Sequence, residues 1–317
     1  MSPPPSVLLT CRIPSALLAR LEERCEVECL QPPIAPALLA ERVRGKLALL
    51  CLLTERVDRQ VIEAGQDLRI IANIAVGYDN IDVAFARARG IAVTNTPDVL
   101  TGATAEFTWA LILAAARRVS EGERLLRRGD WNGWALDFML GMELRGKQLG
   151  VVGMGRIGRA VAAKAPAFGM RAVYAEQAGG APAGVDHATQ VSLDELLVSS
   201  DVVTLHVPLT PATRHVIDKR ALARMKRTAI LVNTARGPVV DEEALAWALE
   251  ERLIAAAALD VYEREPAVHP KLLQFENVVL APHLGSATRE TRTAMAELAV
   301  GNVLAVLSGQ PPLTPVG

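Results

Sequence analysis

The sequence has little cysteine and few aromatic residues: four cysteines and 4% aromatics among 317 residues. All four cysteines lie near the amino terminus, at positions 11, 25, 29 and 51. Cys25 and Cys29 have the spacing of a metal-binding pair, but no second pair of ligands accompanies them. We therefore predict no metal site, and we interpret the cysteines as buried free thiols of a reducing compartment.

Net charge and long apolar runs are also lacking. The formal net charge is −1, so a broad electrostatic attraction to nucleic acid is not indicated. No uninterrupted apolar run reaches the roughly 18 residues that a membrane span needs. The first residues, MSPPPS, lack the basic region of a secretory signal. We expect a cytoplasmic protein with neither a membrane nor a nucleic acid as partner.

What the sequence does have is length for about two domains and a regular alternation of apolar runs with helical patterns. In the first hundred residues the strand candidates include Leu47–Leu53 and Leu68–Ile74. A second alternating series follows Gln148. Between them we predict one long helix, capped at Thr101 and running toward Arg128. The fold class is therefore α/β, with two doubly wound parallel sheets.

The stretch Gln148–Ala162, QLGVVGMGRIGRAVA, is the strongest local signal. An apolar strand leads into Gly153, Gly155 and Gly158, and an amphipathic helix follows. In this context the glycines permit the turn, the approach of a pyrophosphate and close packing of helix on strand. Glu176 follows the next apolar run, where an acidic residue can bind the ribose hydroxyls of a dinucleotide. A glycine-rich turn that binds nothing is the alternative, which this context disfavours.

Chemistry is concentrated at the predicted strand ends of the second half. Arg236 lies beside a glycine-containing turn and can hold a carboxylate bidentately. Glu265 and His283 lie in two later loops. His283 can act as a proton donor, and Glu265 can supply the carboxylate that supports it. Taken singly, each has an ordinary interpretation: a surface arginine, a solvated acid and a hydrogen-bonded histidine. Together, beside a nicotinamide site, they match the reduction of a 2-keto acid.

Several longer motifs resemble those of the D-isomer-specific 2-hydroxyacid dehydrogenases, and within them the glyoxylate/hydroxypyruvate reductases. The resemblance covers the chain from about Leu47 onward, with its arginine, glutamate and histidine spaced by 29 and then 18 residues. The motifs are Val76-Gly77-Tyr78-Asp79-Asn80-Ile81-Asp82, Thr96-Pro97-Asp98-Val99-Leu100-Thr101, Thr104-Ala105-Glu106, the glycine fingerprint, Asn233-Thr234-Ala235-Arg236-Gly237, Leu259-Asp260-Val261 and Pro282-His283-Leu284-Gly285-Ser286-Ala287-Thr288.

The resemblance implies a flavodoxin-like substrate domain of residues 1–99 and 285–317. It implies a Rossmann domain for the dinucleotide at residues 100–284, with a cleft between the two domains. Arg236, Glu265 and His283 would be catalytic, and the substrate would also contact the backbone N–H groups of Val76 and Gly77. The cofactor would be bound by Thr104, Gly153, Gly155, Arg156, Ile157, Gly158, Glu176, Pro208, Thr234, Ala235, Asp260 and Gly285.

The same resemblance implies a homodimer formed through the dinucleotide-binding domain, with an arm of aromatic residues near Trp134 and Phe138. Many such reductases carry Ser-Arg or Thr-Arg where this chain has Glu176-Gln177, which favours NAD(H) here and leaves NADP(H) possible. Phosphite dehydrogenases need a lysine where this chain has Val76, so we set them aside.

Two alternatives remain open at this stage. Some members of the superfamily are NAD-sensing corepressors that bind peptide motifs and retain the triad, although this chain lacks long flanking tails. Another possibility is a dehydrogenase for a larger acid such as phosphoglycerate, although Arg236 alone offers no evident phosphate cluster.

Overall fold

The computed structural model describes residues 3–176 and 187–316. The chain divides into two compact units. One consists of the residues up to Leu100 together with those from Thr288 onward, and the other runs from Thr101 to Ala287.

Strands and helices alternate along both units. The strands are β1 (Ser6–Leu9), β2 (Glu26–Cys29), β3 (Ala48–Cys51), β4 (Ile70–Asn73), β5 (Ala92–Thr94), β6 (Gln148–Val152), β7 (Arg171–Ala175), β8 (Ala188–Gln190), β9 (Val202–Leu205), β10 (Ile230–Asn233), β11 (Ala256–Leu259) and β12 (Val278–Leu280). The α-helices are α1 (Ser15–Glu22), α2 (Pro36–Arg42), α3 (Arg59–Ala64), α4 (Val83–Ala88), α5 (Thr101–Ala116), α6 (Val119–Arg128), α7 (Arg156–Ala162), α8 (Leu193–Ser199), α9 (Lys219–Arg224), α10 (Glu242–Glu250) and α11 (Arg289–Leu307). Short 3₁₀ turns follow at Ala165–Phe168, Gly237–Val239 and Leu272–Gln274.

The first unit contains a five-stranded parallel sheet in the order β2-β1-β3-β4-β5. This is the flavodoxin-like order of a doubly wound sheet. All four residues of β3 and of β4 are buried, as expected for central strands that helices cover on both faces. The edge strand β2, with the sequence EVEC, is partly exposed, and the apolar pattern did not predict it.

The second unit contains a seven-stranded parallel sheet in the order β12-β11-β10-β9-β6-β7-β8. Its order reverses beside β6, as in the Rossmann fold. Large buried apolar clusters pack on this sheet, and Leu205 and Ile112 are members of two of them. The predicted fold class of two parallel α/β sheets is confirmed.

The prediction of one long helix through Arg128 was wrong. Helix α5 ends at Ala116, and Arg118 takes the left-handed backbone conformation, with φ of 54°, before α6 begins. Helix α5 buries eight residues, whereas α6 buries none. The two segments therefore meet different environments, and the chain breaks between them.

Candidate active site

The glycine fingerprint forms the turn between β6 and α7. Gly153 has φ of +93°, and a Cβ there would lie 2.8 Å from the carbonyl atoms of His206. A Cβ at Gly158 would lie 2.1 Å from the carbonyl oxygen of Gly153. These two positions therefore require glycine for the turn and for close packing of α7 on the sheet.

Gly155 is a different case, because an added Cβ would meet no atom within 4 Å. Its backbone faces open space at the N-terminus of α7, where the first N–H groups and the helix dipole favour an anion. Arg156 and Ile157 begin the helix, and Ile157 packs against the adjacent core. The turn thus fits the pyrophosphate of a dinucleotide.

Glu176 immediately follows β7 and is exposed, at the strand end next to the glycine turn. Gln177, the second residue of the predicted discriminating pair, lies outside the described residues. Pro208 is exposed in the loop after β9, where its carbonyl oxygen accepts a hydrogen bond of 2.6 Å from the Thr213 hydroxyl.

Several predicted cofactor residues meet behind the ends of β10 to β12. The hydroxyls of Thr108 and Thr234 are 3.0 Å apart, and Thr108 also donates to the carbonyl oxygen of Thr104. A Cβ at Gly285 would come within 3.5 Å of Thr104 and 3.2 Å of Asp260. The structure therefore brings Thr104, Asp260 and Gly285 together, while their contact with a cofactor stays a prediction.

Arg236 and its neighbour Ala235 lie on a turn that is held by hydrogen bonds to Asn233 and by close packing at Gly237. Buried Asn233, the last residue of β10, accepts from the N–H of Ala235 at 3.0 Å and donates to the carbonyl of Arg236 at 2.9 Å. A Cβ at Gly237 would lie 1.9 Å from the Tyr262 carbonyl. Glycine at this position lets the arginine turn pack directly on the backbone of the Glu265 loop.

Glu265 and His283 form a hydrogen-bonded pair. Nδ1 of His283 lies 2.9 Å from Oε2 of Glu265, and Oε1 accepts from the N–H of Tyr262 at 3.0 Å. Burial opposes ionisation of the carboxyl group. The histidine, the Tyr262 N–H and the charge of Arg236 outweigh burial and hold the pKa of Glu265 below its usual range. An ionised carboxylate can only accept, so Nδ1 carries a proton.

His283 itself takes the left-handed backbone conformation, with φ of 56°. Asp260 fixes this turn: its carboxylate accepts from Leu284 N–H at 2.6 Å and from Gly285 N–H at 2.8 Å. Burial and the charge of Glu265 raise the pKa of Asp260. The two backbone hydrogen bonds and the charge of His283 act in the opposite direction but do not outweigh them. The surrounding bonds thus stabilise an unfavourable backbone conformation at the predicted proton donor.

Tyr262 was not among the predicted site residues. It links the loop of Glu265 to the loop of His283. Its hydroxyl donates to the Ala281 carbonyl at 2.9 Å, two residues before His283, while its N–H donates to Glu265. Burial raises the pKa of Tyr262 to about 12, so the hydroxyl stays a donor. Thr108 was likewise not predicted as a site residue, whereas Asn233 was expected at this strand end but was given no role of its own.

Val76 and Gly77 lie in the first unit, partly exposed in the loop after β4. The cysteine prediction needs a correction: all four thiols are free, but Cys29 is exposed at the edge strand while the other three are buried. Among the described residues there is no cluster of three or more His, Cys, Asp or Glu that could hold a metal. Within the same part of the chain, no helix has the length and apolar character needed to cross a bilayer.

A glycine turn on a parallel sheet, with a histidine–glutamate pair and an arginine at neighbouring strand ends, defines a nucleotide-dependent dehydrogenase. Residues 109–285 match the family described as D-isomer specific 2-hydroxyacid dehydrogenase, NAD binding domain. The chain is 50% identical over 317 residues to a glyoxylate reductase of Korarchaeum cryptofilum, covering 97% of this chain and 94% of the relative. The chain therefore belongs to the D-isomer-specific 2-hydroxyacid dehydrogenase family, and it is an NAD(P)-dependent enzyme, as the motifs predicted.

Solved structures agree. The TT0316 protein from Thermus thermophilus is 47% identical, with a TM-score of 0.92 over 98% of this chain and 100% of that one. An NADPH-dependent glyoxylate/hydroxypyruvate reductase from Sinorhizobium meliloti, in complex with NADP and malonate, is 36% identical. Its TM-score is 0.89, covering 99% of this chain and 97% of that one.

Proposed function

We propose that this protein reduces glyoxylate or hydroxypyruvate to the corresponding 2-hydroxy acid, with D stereochemistry where a stereocentre forms. The observation that carries the proposal is the 2.9 Å hydrogen bond between His283 and Glu265 at the strand ends of a dinucleotide-binding fold. The Korarchaeum relative, named a glyoxylate reductase, supports the choice of substrate. When bound, a reduced nicotinamide supplies the hydride that becomes the hydrogen on C2 of the product.

His283 is the proposed proton donor. Its Nδ1 is engaged by Glu265, so the proton must pass to the developing alkoxide from Nε2. The ionised Glu265 orients the ring by accepting from Nδ1–H and stabilises the imidazolium that donates from Nε2. About 28% of the His283 side chain remains exposed, which leaves the ring accessible to a substrate.

Arg236 is the proposed side-chain ligand of the substrate carboxylate, because its planar guanidinium matches a carboxylate bidentately and can polarise the keto oxygen. The family resemblance gives the N–H groups of Val76 and Gly77 as further substrate contacts. We accordingly assign the substrate role to residues 1–99 and 285–317, and dinucleotide binding to residues 100–284.

We propose that the cofactor is held by the fingerprint glycines with Arg156 and Ile157, and by Thr104, Pro208, Thr234, Ala235, Asp260 and Gly285. Glu176 accepts hydrogen bonds from the ribose hydroxyls and sets a preference for NADH. NADPH remains a usable cofactor, as it is for the Sinorhizobium relative.

The other candidate functions are not favoured. Neither the corepressor nor the phosphoglycerate dehydrogenase alternative is supported by the Korarchaeum or Sinorhizobium relatives, which are named as reductases of small keto acids.

We further propose a homodimer formed through the second unit. Its segment after α6 exposes large apolar side chains, with Trp134 80% and Leu136 83% accessible. A groove of about 860 Å³ lies on the same unit and is lined in part by Leu140, Met142 and Phe275. Exposed apolar surface of this kind is typical of an interface. Sedimentation of the parent and of Trp134→Glu tests this assignment, and a monomeric parent contradicts it.

The cytoplasm is the proposed location, in keeping with four free thiols. Fractionation of the native cells tests it.

The decisive experiment for the function is a panel of 2-keto acids assayed with NADH and with NADPH. We expect the highest kcat/KM with glyoxylate or hydroxypyruvate and NADH. If neither cofactor is oxidised with any small keto acid, the proposed activity is wrong and a binding role gains support.

A further inference from the structure

The loop after β4 is held by two asparagines from neighbouring strand ends of the first unit. Asn73, the last residue of β4, is fully buried, and its Nδ2 lies 2.7 Å from the carbonyl oxygen of Gly77. Asn95 directly follows β5, and its Nδ2 lies 2.7 Å from the carbonyl oxygen of Val76. The carbonyl oxygens of two consecutive residues, Val76 and Gly77, therefore each accept a hydrogen bond from an asparagine at a strand end.

Peptide geometry determines what these two bonds do. In a trans peptide the C=O of one residue and the N–H of the next lie in one plane and point in opposite directions. Asn95, by binding the Val76 carbonyl, directs the N–H of Gly77 away from itself. Asn73, by binding the Gly77 carbonyl, does the same for the N–H of Tyr78. Within the described residues, neither of these N–H groups donates a hydrogen bond to the protein.

The asparagines are themselves fixed. Nδ2 of Asn73 also lies 3.2 Å from Oδ1 of Asn80, whose own amide donates to the Leu52 and Glu55 carbonyls. The carbonyl of Asn95 accepts from the hydroxyl of Thr314 at 2.6 Å, in the segment after α11. The loop is thus tied to the β3 loop on one side and to the C-terminal segment on the other.

We propose that Asn73 and Asn95 are positioning residues for the substrate carboxylate, and that the N–H of Tyr78 is a further donor to it. The inference rests on the proposed function, since it assumes a keto acid bound at this loop. Neither asparagine contacts the reacting atoms. Each acts by aligning a backbone N–H group before the substrate arrives, so that no conformational cost is incurred on binding.

The test compares Asn73→Ala and Asn95→Ala with the parent in steady-state kinetics. Loss of a well-aligned hydrogen bond to a charged group should raise KM for glyoxylate about tenfold in each variant. The carboxylate is bound in both the ground state and the transition state, so kcat should change less than about threefold. KM for NADH and the pH limits of activity should stay as in the parent.

Leu21→Ala is the matched control. Leu21 is equally buried in the same unit, on α1, and it takes no part in the hydrogen bonds that hold the loop after β4. It should lower the melting temperature while leaving KM for glyoxylate within about twofold of the parent. A comparable rise of KM in this control would attribute the effect to general loosening and overturn the proposal.

Asn95 is only partly buried, so Asn95→Ala carries the test if Asn73→Ala does not fold. Asn73→Ser, which keeps a small donor, should recover part of the lost affinity. Binding of oxamate to the enzyme with NADH, measured by calorimetry, should weaken about as much as KM rises. Folded variants with the parent's KM and oxamate affinity refute the positioning role, whereas a parent that reduces no keto acid refutes the proposed function instead.

Discussion

Nδ1 of His283 lies 2.9 Å from Oε2 of Glu265, across an 18-residue separation in the chain. Both residues lie in loops that follow strands of one sheet. The N–H of Tyr262 donates to Glu265, and the carboxylate of Asp260 accepts from the N–H of Leu284, so both loops are held by hydrogen bonds. The pair therefore does not depend on flexible segments meeting by chance. Its geometry is set by backbone hydrogen bonds around it, so substitutions of the two side chains should report on chemistry rather than on folding.

Replacing His283 with alanine should lower kcat by about 10²- to 10⁴-fold, the usual contribution of a positioned general acid. The backbone bonds that Asp260 makes to residues 284 and 285 do not involve the imidazole, so the turn should persist. NADH binding, measured by fluorescence titration, should stay within about twofold of the parent. A fall in kcat of less than about fivefold would exclude His283 as the proton donor.

Replacing Glu265 with glutamine should move the alkaline limit of keto-acid reduction to lower pH. Glutamine keeps an acceptor for the Tyr262 N–H but removes the negative charge that stabilises the imidazolium. Since reduction needs the protonated ring, activity should fail at a lower pH than in the parent. The measurement is kcat/KM against pH, and an unmoved limit would mean that the carboxylate does not act on the imidazole.

The stability of Glu265→Gln at low pH provides a second test of the carboxylate. The pKa of Glu265 is held low in the folded protein, so the unfolded chain binds its proton first as the pH falls. The stabilising contribution of the carboxylate is thus present above the usual glutamate pKa and is lost as the pH falls through the depressed value. The melting temperature of Glu265→Gln should fall less steeply below about pH 4.5 than that of the parent.

Much of this arrangement could be predicted because the strongest signals are local. The central strands are short apolar runs buried on both faces, and the fingerprint combines strand, turn and helix within fifteen residues of sequence. Arg236, Glu265 and His283 were found as polar residues at predicted strand ends and through their family motifs. The structure brings them together because parallel strands end at one edge of the sheet.

What could not be predicted depends on partners distant in sequence or on weak patterns. The edge strands β2 and β8 have partly exposed, mixed sequences, which carry little periodic signal. The break at Arg118 follows from the different surroundings of α5 and α6 rather than from a helix-breaking residue. Tyr262 bonds a carbonyl 19 residues away, and Asn95 bonds one 19 residues before it, so neither role is visible locally.

The fingerprint glycines offer a matched pair of substitutions. Gly158→Ala should destabilise the protein by about 1–3 kcal/mol, because its Cβ would overlap the Gly153 carbonyl oxygen. Gly155→Ala should fold normally, since its φ of −68° suits alanine and the added Cβ meets nothing. It should nevertheless raise KM for NADH severalfold by occupying space needed by the pyrophosphate. Equal melting temperatures for the two variants would contradict this reading of the turn.

Arg236→Lys should not be a conservative change. Lysine keeps the positive charge beside Glu265 but lacks the planar fork that binds a carboxylate bidentately. We expect KM for glyoxylate to rise and kcat to fall, with kcat/KM reduced by about 10²-fold, or ~2.7 kcal/mol. Exposed Arg220 provides the control, and Arg220→Lys should behave as the parent. Kinetics of Arg236→Lys that match this control would place the carboxylate elsewhere.

We expect a single side chain, Glu176, to determine the preference for NADH over NADPH. Glu176 is exposed at the end of β7, next to the glycine turn, where a 2′-phosphate would meet a like charge. Two charges ~4 Å apart repel by ~4 kcal/mol at an effective dielectric of ~20, and salt with side-chain motion should reduce this to ~2–3 kcal/mol. We therefore expect kcat/KM to favour NADH over NADPH by roughly 30- to 150-fold. Glu176→Ser should narrow that ratio chiefly by improving NADPH, and exposed Glu251→Gln should leave it unchanged. The assay is kcat/KM for both cofactors at one ionic strength. A parent that uses the two cofactors equally well would show that Glu176 does not discriminate between them.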